Sequence, residues 1–268
     1  MNTATPTQLT TARWIVINSS GGKDSQTALR QAVVAADTAG VPRDRLVVSH
    51  QCLGEMEWPG TLDLVKQQAS FYGLRLEISA YRDKHGVELS LLEQVERRGM
   101  WPSNKQRFCT SDSKRGPGQR VIVKLCQESP GDVLNIFGFR AEESPARSKK
   151  QVFARNARAS NQSRTVWDWL PIFDWTEAQV WKDIRQSGVP YHWAYDKGMP
   201  RLSCVFCIFA PRNALLIAGQ HNPELLARYV AVEKKINHTF RQKQSLAEIQ
   251  TALVNGEQPG KVGGAWNM

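Results

Sequence analysis

The sequence has no apolar run long enough to span a bilayer, and Met1-Asn2-Thr3-Ala4-Thr5-Pro6 lacks the charged-then-apolar order of a secretory leader. The expectation is a cytoplasmic protein with no membrane partner. Cysteine is scarce as well: Cys52, Cys109, Cys126, Cys204 and Cys207 are the five in 268 residues. They are too few and too unevenly spaced for a disulfide scaffold, which turns attention to metal or redox roles. Internal repeats are absent, and the length is enough for one full α/β core with a helical appendage. Acidic residues are in deficit, 25 against 35 Lys and Arg, giving a formal charge of +10. That balance favours a polyanionic partner such as nucleotide or nucleic acid, with a solvated lysine face as the plainer reading.

What the chain does have begins at Ser19-Ser20-Gly21-Gly22-Lys23-Asp24-Ser25, between the apolar run Trp14-Ile15-Val16-Ile17 and an amphipathic segment. Strand, glycine turn and helix start follow one another. Gly21 and Gly22 permit a tight turn and a close backbone approach to an oxyanion, and the freed N–H groups and helix dipole attract phosphate. Lys23 adds a point charge, and Ser20 and Ser25 add hydroxyl donors. The spacing fits neither the Walker A pattern nor Gly-x-Gly-x-x-Gly. The alternative is a turn that merely joins strand to helix.

Further along, Ala28, Leu29, Ala32, Val33 and Ala36 have helical spacing, and Gly40-Val41-Pro42 ends that helix. Leu46–His50, Leu74–Ile78 and Val133–Phe137 read as buried strands, with helices over about 62–72 and 118–127. Such alternation implies βαβ units, a parallel sheet and right-handed crossovers, with ligands gathering at the carboxyl ends of the strands. From Gly138 to Arg164 the chain turns basic and polar, which predicts a long mobile loop over the site. Order returns at Val166–Pro171, followed by a helix over about 176–186. Leu225, Tyr229, Val232, Ile236 and Phe240 share a face of a C-terminal helix, a packing pattern, and the glycine-rich tail from Asn255 to Met268 reads as loose.

The loop resembles the Ser-Gly-Gly-x-Asp-Ser pyrophosphate-binding loop (PP-loop) of the adenine nucleotide alpha hydrolases. Three more segments resemble the 3'-phosphoadenylyl-sulfate reductase branch of that superfamily, so the likeness runs from about Trp14 to Cys207. Pro59-Gly60-Thr61 is similar to its Pro-x-Thr element, and Gly138 to Arg147 to its Gly-x-Arg-x-x-Glu-Ser-x-x-Arg element. Pro171-Ile172-Phe173-Asp174-Trp175-Thr176, Val180-Trp181 and Gly188-Val189-Pro190-Tyr191 resemble its Pro-Ile-x-x-Trp-Thr, Val-Trp and Gly-x-Pro-Tyr run. The resemblance implies a Rossmann-like parallel sheet flanked by helices with a C-terminal helical extension. It divides the chain into a PP-loop domain over 1–200 and a Cys-x-x-Cys segment with helices over 201–268.

On this reading Ser20, Gly21, Gly22, Lys23, Asp24, Ser25, Arg140, Glu143 and Arg147 bind ATP, and Lys23, Asp24 and Arg140 act in catalysis. Arg140 could present a bidentate fork to the phosphates. Glu142 or Glu143 could orient it, help hold Mg2+, or simply balance a basic loop. Trp175 and Trp181 read as core anchors rather than base-stacking platforms.

Cys204-x-x-Cys207 has the spacing of a metal half-site, and Cys109 stands where relatives carry another ligand, ahead of Lys114. By resemblance, these three could hold a 4Fe-4S cluster with one iron open, as in relatives that thiolate tRNA. Zinc and unliganded thiols are the alternatives, and Cys126, His221 and Cys52 are the candidates for a fourth ligand. Two features depart from the reductase pattern. Phe108-Cys109 replaces the adjacent cysteines of cluster-binding reductases, and no cysteine follows Cys207 to match the sulfate-attacking residue of the cluster-free ones. His50 and Gln51 also replace an acidic residue common after the second strand. The combination is most similar to the ATP pyrophosphatases of DNA phosphorothioation systems of the Dnd and Ssp types. That likeness implies cleavage of ATP to AMP and pyrophosphate, DNA as substrate, and a cysteine desulfurase and other modification proteins as partners. A sulfonucleotide reductase, a tRNA-thiolating enzyme and a non-catalytic nucleic-acid-binding subunit are the rivals.

Overall fold

In the computed structural model, residues 5–242 and 244–263 are described. The leader expectation at residues 1–4 and the end of the loose tail, 264–268, lie outside them. The chain forms two compact units that alternate along the sequence. The first comprises Met1–Gln51, Gly60–Ser79 and Gly116–His192; the second comprises Cys52–Pro59, Ala80–Arg115 and Trp193–Met268.

Six strands form one sheet: β1 (Trp14–Asn18), β2 (Leu46–Cys52), β3 (Arg75–Ala80), β4 (Val133–Ile136), β5 (Phe153–Arg155) and β6 (Val166–Trp169), in the order β3-β2-β1-β4-β6-β5. β1 pairs in parallel with β2 and β4, and β4 with β6; only the edge pair of β5 and β6 is antiparallel among the registers described. Alternation of side chains splits the sheet's core into two layers. Ile15, Ile17, Leu46, Val48, Leu134 and Ile136 pack on Leu29, Ala32 and Val33 of helix Lys23–Thr38 and on Val65 and Ala69 of helix Thr61–Phe71. Trp14, Val16, Val47, Val133 and Val166 pack on Val121, Ile122 and Leu125 of helix Gly116–Glu128. The α/β class, the flanking helices and the C-terminal helical extension are all present.

The basic stretch corrects the sequence reading. Instead of one long loop, residues 138–164 contain a short helix at Pro145–Ser148 and the edge strand β5. Phe153 stacks on Trp167 at 5.1 Å, and Asn156 N–H donates to the Val166 carbonyl at 2.8 Å, so apolar and backbone contacts order the segment. Lys149, Lys150, Arg155 and Arg158 are exposed.

The second unit has its own core of Leu53, Met56, Trp58, Leu91, Leu92, Val95, Trp101, Phe206, Tyr229 and Phe240, among others. Helices Leu91–Arg98, Arg212–His221, Pro223–Ile236 and Leu246–Val254 supply much of it. Trp101 stacks on Tyr229 at 5.3 Å and meets Phe240 edge-on at 5.2 Å. Leu225, Tyr229, Val232, Ile236 and Phe240 all pack in this core. Two of these helices open with capping boxes, Ser90 with Glu93 and Ser245 with Glu248. That Ser-x-x-Glu signal was readable in the sequence.

Candidate active site

The strand order reverses between β1 and β4, because β2 follows β1 on one side while β4 lies on the other. Parallel sheets bind ligands at such a switch point, at the carboxyl ends of the strands. Two of the sequence elements leave the sheet there, Ser19–Ser25 after β1 and Gly138–Arg147 after β4.

The first is a compact turn. Gly21 has φ +71°, a left-handed conformation that a side chain would strain, and Gly22 is the N-cap of helix Lys23–Thr38. Ser20 N–H donates to Ser25 Oγ at 3.1 Å, and Ser25 Oγ donates to the Gly22 carbonyl at 2.9 Å. Lys23 is 3% exposed. Its Nζ lies 3.5 Å from both Asp24 Oδ2 and Glu177 Oε1. A lysine held this way at a helix N-terminus brings charge to the place where N–H groups lack partners.

The second element locks onto the first. Arg140, 3% exposed, donates from Nε to Asp24 Oδ1 at 2.6 Å and from Nη1 to Glu142 Oε2 at 2.8 Å and the Trp175 carbonyl at 3.3 Å. Burial works against its charge, but Asp24, Glu143 and Glu142 outweigh that and hold the guanidinium above its ordinary pKa. Glu143 accepts from Arg140 N–H at 3.0 Å and pairs with Arg147, whose guanidinium lies over the Phe139 ring at 4.5 Å. At Gly138 the two elements nearly touch: a Cβ there would lie 2.4 Å from the Asp24 carbonyl oxygen. Only glycine permits that approach.

The first unit thus brings Ser20, Gly21, Gly22, Lys23, Asp24, Ser25 and Arg140 together, with Glu143 and Arg147 one step behind through Arg140. The arginine's Nε and Nη1 are spent on carboxylates, so Arg140 braces Asp24. Glu177 is the residue sequence reasoning missed, since nothing local ties the first residue of helix Glu177–Ser187 to Lys23. Thr61, from the Pro-x-Thr element, is buried against His192 Nε2 at 3.2 Å, and Trp175 and Trp181 pack beside Ala28, Ile172, Val180 and Ile184.

In the second unit, Cys109, Cys204 and Cys207 line one cavity with Met56, Leu91, Trp101, Phe206 and Phe240. Cys109 lies in the short helix Phe108–Thr110, and Cys204 is fixed by a β-bridge to Glu57 and by Val205 N–H donating to the Met56 carbonyl at 2.8 Å. Burial pushes the Cys204 thiol up to about 12 and raises Cys207 as well, each further raised by neighbouring cysteines and lowered by Lys114. None of the five cysteines is in a disulfide. Of the fourth-ligand candidates, Cys126 belongs to the first unit, where it packs beside Val121 and Leu125 and donates to the Gly131 carbonyl at 3.7 Å. Cys52 accepts from Gly54 N–H at 3.4 Å, and His221 meets Trp193 edge-on at 5.8 Å.

The family model described as phosphoadenosine phosphosulfate reductase domain matches residues 14–210. An uncharacterized protein of Methanocaldococcus jannaschii is 28% identical over 234 residues, which are 87% of this chain and 43% of that protein. An adenosine 5'-phosphosulfate reductase of Allochromatium vinosum is 28% identical over 156 residues, 55% of this chain and 52% of that one. The phosphoadenylyl-sulfate reductase of Candida auris, solved with phosphate, aligns with a TM-score of 0.46 and 21% identity over 71% of this chain and 80% of its own. The chain spans about half the length of the curated relatives it matches. No described helix is long and apolar enough to cross a membrane. With its glycine turn, its Gly138–Arg147 brace and its Cys204-x-x-Cys207 segment all inside the matched range, the chain belongs to the phosphoadenosine phosphosulfate reductase domain family of the PP-loop superfamily.

Proposed function

We propose that this chain is an adenine-nucleotide enzyme with sulfonucleotide-reductase-like activity. The observation that carries the reading is the switch-point turn, where a left-handed Gly21, a helix N-terminus and the buried Lys23 converge inside the span of the family match. The turn's N–H groups and Lys23 would bind the nucleotide's phosphates and offset the charge that develops as the nucleotide leaves. Asp24, braced by Arg140, would hold Lys23 in place, and Ser20 and Ser25 would supply hydroxyls. The overall change would reduce a sulfuryl group to sulfite and free AMP, or its 3'-phosphorylated form, while the two thiols of an external dithiol, which would take the place of the attacking cysteine that this chain lacks after Cys207, become a disulfide. Magnesium would arrive with the nucleotide, since Asp24, Glu142 and Glu143 already face arginines.

The cysteine cavity fits a thiophilic centre, because three sulfurs face an apolar lining in which free thiolates are disfavoured. Cys109, Cys204 and Cys207 would hold a 4Fe-4S cluster, with zinc as the alternative; the group would supply electron transfer or Lewis acidity.

A second reading rests on the exposed Lys149, Lys150, Arg155 and Arg158. In it the same turn cleaves ATP to AMP and pyrophosphate, activating a DNA backbone phosphate for sulfur delivered by a cysteine desulfurase, as in Dnd or Ssp phosphorothioation. A basic hairpin suits a nucleic-acid backbone.

Product analysis tests both readings. Purified anaerobically, the protein should release sulfite from adenosine 5'-phosphosulfate or its 3'-phosphate when given a dithiol. Pyrophosphate from ATP without sulfite would overturn this in favour of the second reading, and neither product would sink both.

A further inference from the structure

A chain of side-chain amides crosses the sheet of the first unit beside the glycine turn. It starts where Ala159 N–H donates to Asn156 Oδ1 at 3.2 Å. Asn156 Nδ2 then donates to Asp168 Oδ1 and Oδ2 at 3.2 and 3.0 Å, and Asn135 Nδ2 donates to Asp168 Oδ1 at 2.8 Å. Asn18 Nδ2 in turn donates to Asn135 Oδ1 at 2.7 Å and to the Ile136 carbonyl at 3.0 Å. Asn135 and Asp168 are paired in register on β4 and β6, and Asn18 ends β1.

Burial pushes the Asp168 carboxyl up while the Asn135 and Asn156 amides and the Lys150 charge draw it back, and as a carboxylate it sets the polarity of the whole chain. It can only accept, so both flanking amides must turn their NH2 groups toward it. Asn135 therefore presents its oxygen to Asn18, and Asn18 must present NH2 to Asn135. The Asn18 oxygen is left facing away from the chain. It faces Gly118, where a Cβ would stand 3.9 Å from Asn18 Oδ1 and 3.5 Å from Gln51 Nε2. Both printed bonds of the Asn18 amide use its NH2 group, and the acceptor lies in the last residue of β1, directly before the turn's Ser19.

We propose that Asn18 Oδ1 accepts a hydrogen bond from the nucleoside of the bound nucleotide, from the adenine amine or a ribose hydroxyl, and that Asp168 is the positioning residue that fixes the acceptor's orientation. The proposal rests on the reading of Ser20–Ser25 as the phosphate site. A neutral amide in place of Asp168 could offer either face to Asn135, and the orientation of Asn18 would no longer be unique.

Calorimetric titration tests this with ATP, inosine triphosphate, 2'-deoxy-ATP, 3'-deoxy-ATP and inorganic tripolyphosphate against wild type, Asn18→Ala and Asp168→Asn. Wild type should bind ATP about 5–10-fold tighter than the analogue that lacks the donor, the worth of one hydrogen bond. Inosine triphosphate identifies the amine, and a deoxy analogue the hydroxyl. Both variants should bring that ratio to within about twofold while leaving tripolyphosphate affinity unchanged. Should Asn18→Ala not fold, the near-isosteric Asn18→Leu carries the same measurement. Wild-type ratios in both variants would overturn the proposal, as would wild type treating every analogue like ATP. Loss of tripolyphosphate binding in Asp168→Asn would reduce the chain of amides to scaffold. If wild type bound neither ATP nor tripolyphosphate, the phosphate-site reading would fall, and this proposal with it.

Discussion

The turn of the first unit and the cysteine cavity of the second are built by opposite means. Seven consecutive residues make the turn, and its charges are paired before any ligand arrives: Lys23 with Asp24 and Glu177, Arg140 with Asp24 and Glu142. The cavity takes its sulfurs from two segments distant in sequence, and it leaves them among apolar side chains, where burial raises the thiol pKa values of Cys204 and Cys207. A pre-paired polar site is organised for a ligand that exchanges with solvent. An apolar sulfur pocket is suited to a group that remains in place and removes the cost of burying thiolate.

Lys23→Ala should break this contrast on the turn's side with the largest effect. Loss of a preorganised charge donor at a phosphate costs about 100–1,000-fold in turnover. Steady-state product release measures it, and the metal content of the same preparation should match wild type. A variant with wild-type turnover, or one that lost its metal, would end the division of labour between turn and cavity.

Cys204→Ser probes the other side. Removal of a direct ligand should lower affinity for iron or zinc by more than the about 10–100-fold seen when outer-shell partners are lost. Metal analysis and visible absorption after anaerobic purification follow it. Tripolyphosphate binding, which asks only for the turn, should not move. Full metal content in Cys204→Ser would remove the cavity from consideration as a metal site.

The legibility of the chain follows the same contrast. Trp14–Ile17, the glycine turn and the helix after it could be read directly, because φ/ψ demands and apolar periodicity lie in adjacent residues. β5 could not be read: three residues among basic neighbours carry no period, and their order comes from Phe153 on Trp167 and from the register with β6. The lock between Arg140 and Asp24 and the placing of Glu177 are tertiary facts with no local signature. The same holds for the two interleaved units, because Cys52–Pro59 and Ala80–Arg115 join the C-terminal residues through apolar packing, the Glu57–Cys204 bridge and the Val205–Met56 hydrogen bond, none of which has a local signature. The helices Leu91–Arg98 and Leu246–Val254 are different, for their capping boxes, Ser90 with Glu93 and Ser245 with Glu248, are local signals.

Gly138→Ala sharpens the comparison at the point where the turn depends on packing. The added Cβ would stand 2.4 Å from the Asp24 carbonyl oxygen and 2.8 Å from Ser25 N, which is backbone and cannot yield like a flexible side chain. Overpacking of this kind costs about 1–3 kcal/mol. In a chain of this size that lowers Tm by about 2–4 °C per kcal/mol, readable by calorimetry. The matched control is Gly118→Ala, whose Cβ would meet Gln51 Nε2 at an ordinary 3.5 Å. Equal melting temperatures for wild type and Gly138→Ala would show that the two elements do not need their close approach.

The smallest effect belongs to Cys126→Ala, which asks whether a half-buried thiol is by itself a reason to suspect a ligand. Cys126 lies in helix Gly116–Glu128, beside Val121 and Leu125, and its sulfur donates to the Gly131 carbonyl at 3.7 Å. Burial raises its pKa, as it raises those of Cys204 and Cys207, so the titration behaviour of the thiols does not separate the two settings. Convergence separates them: three sulfurs face one cavity in the second unit, whereas Cys126 fills space as a small apolar group does. Its truncation should cost about 1 kcal/mol, the lower end of the range for buried deletions, and leave iron or zinc per chain unchanged. A Cys126→Ala protein that lost metal as completely as Cys204→Ser would return Cys126 to the ligand set and dissolve the distinction between a packed thiol and a converging one.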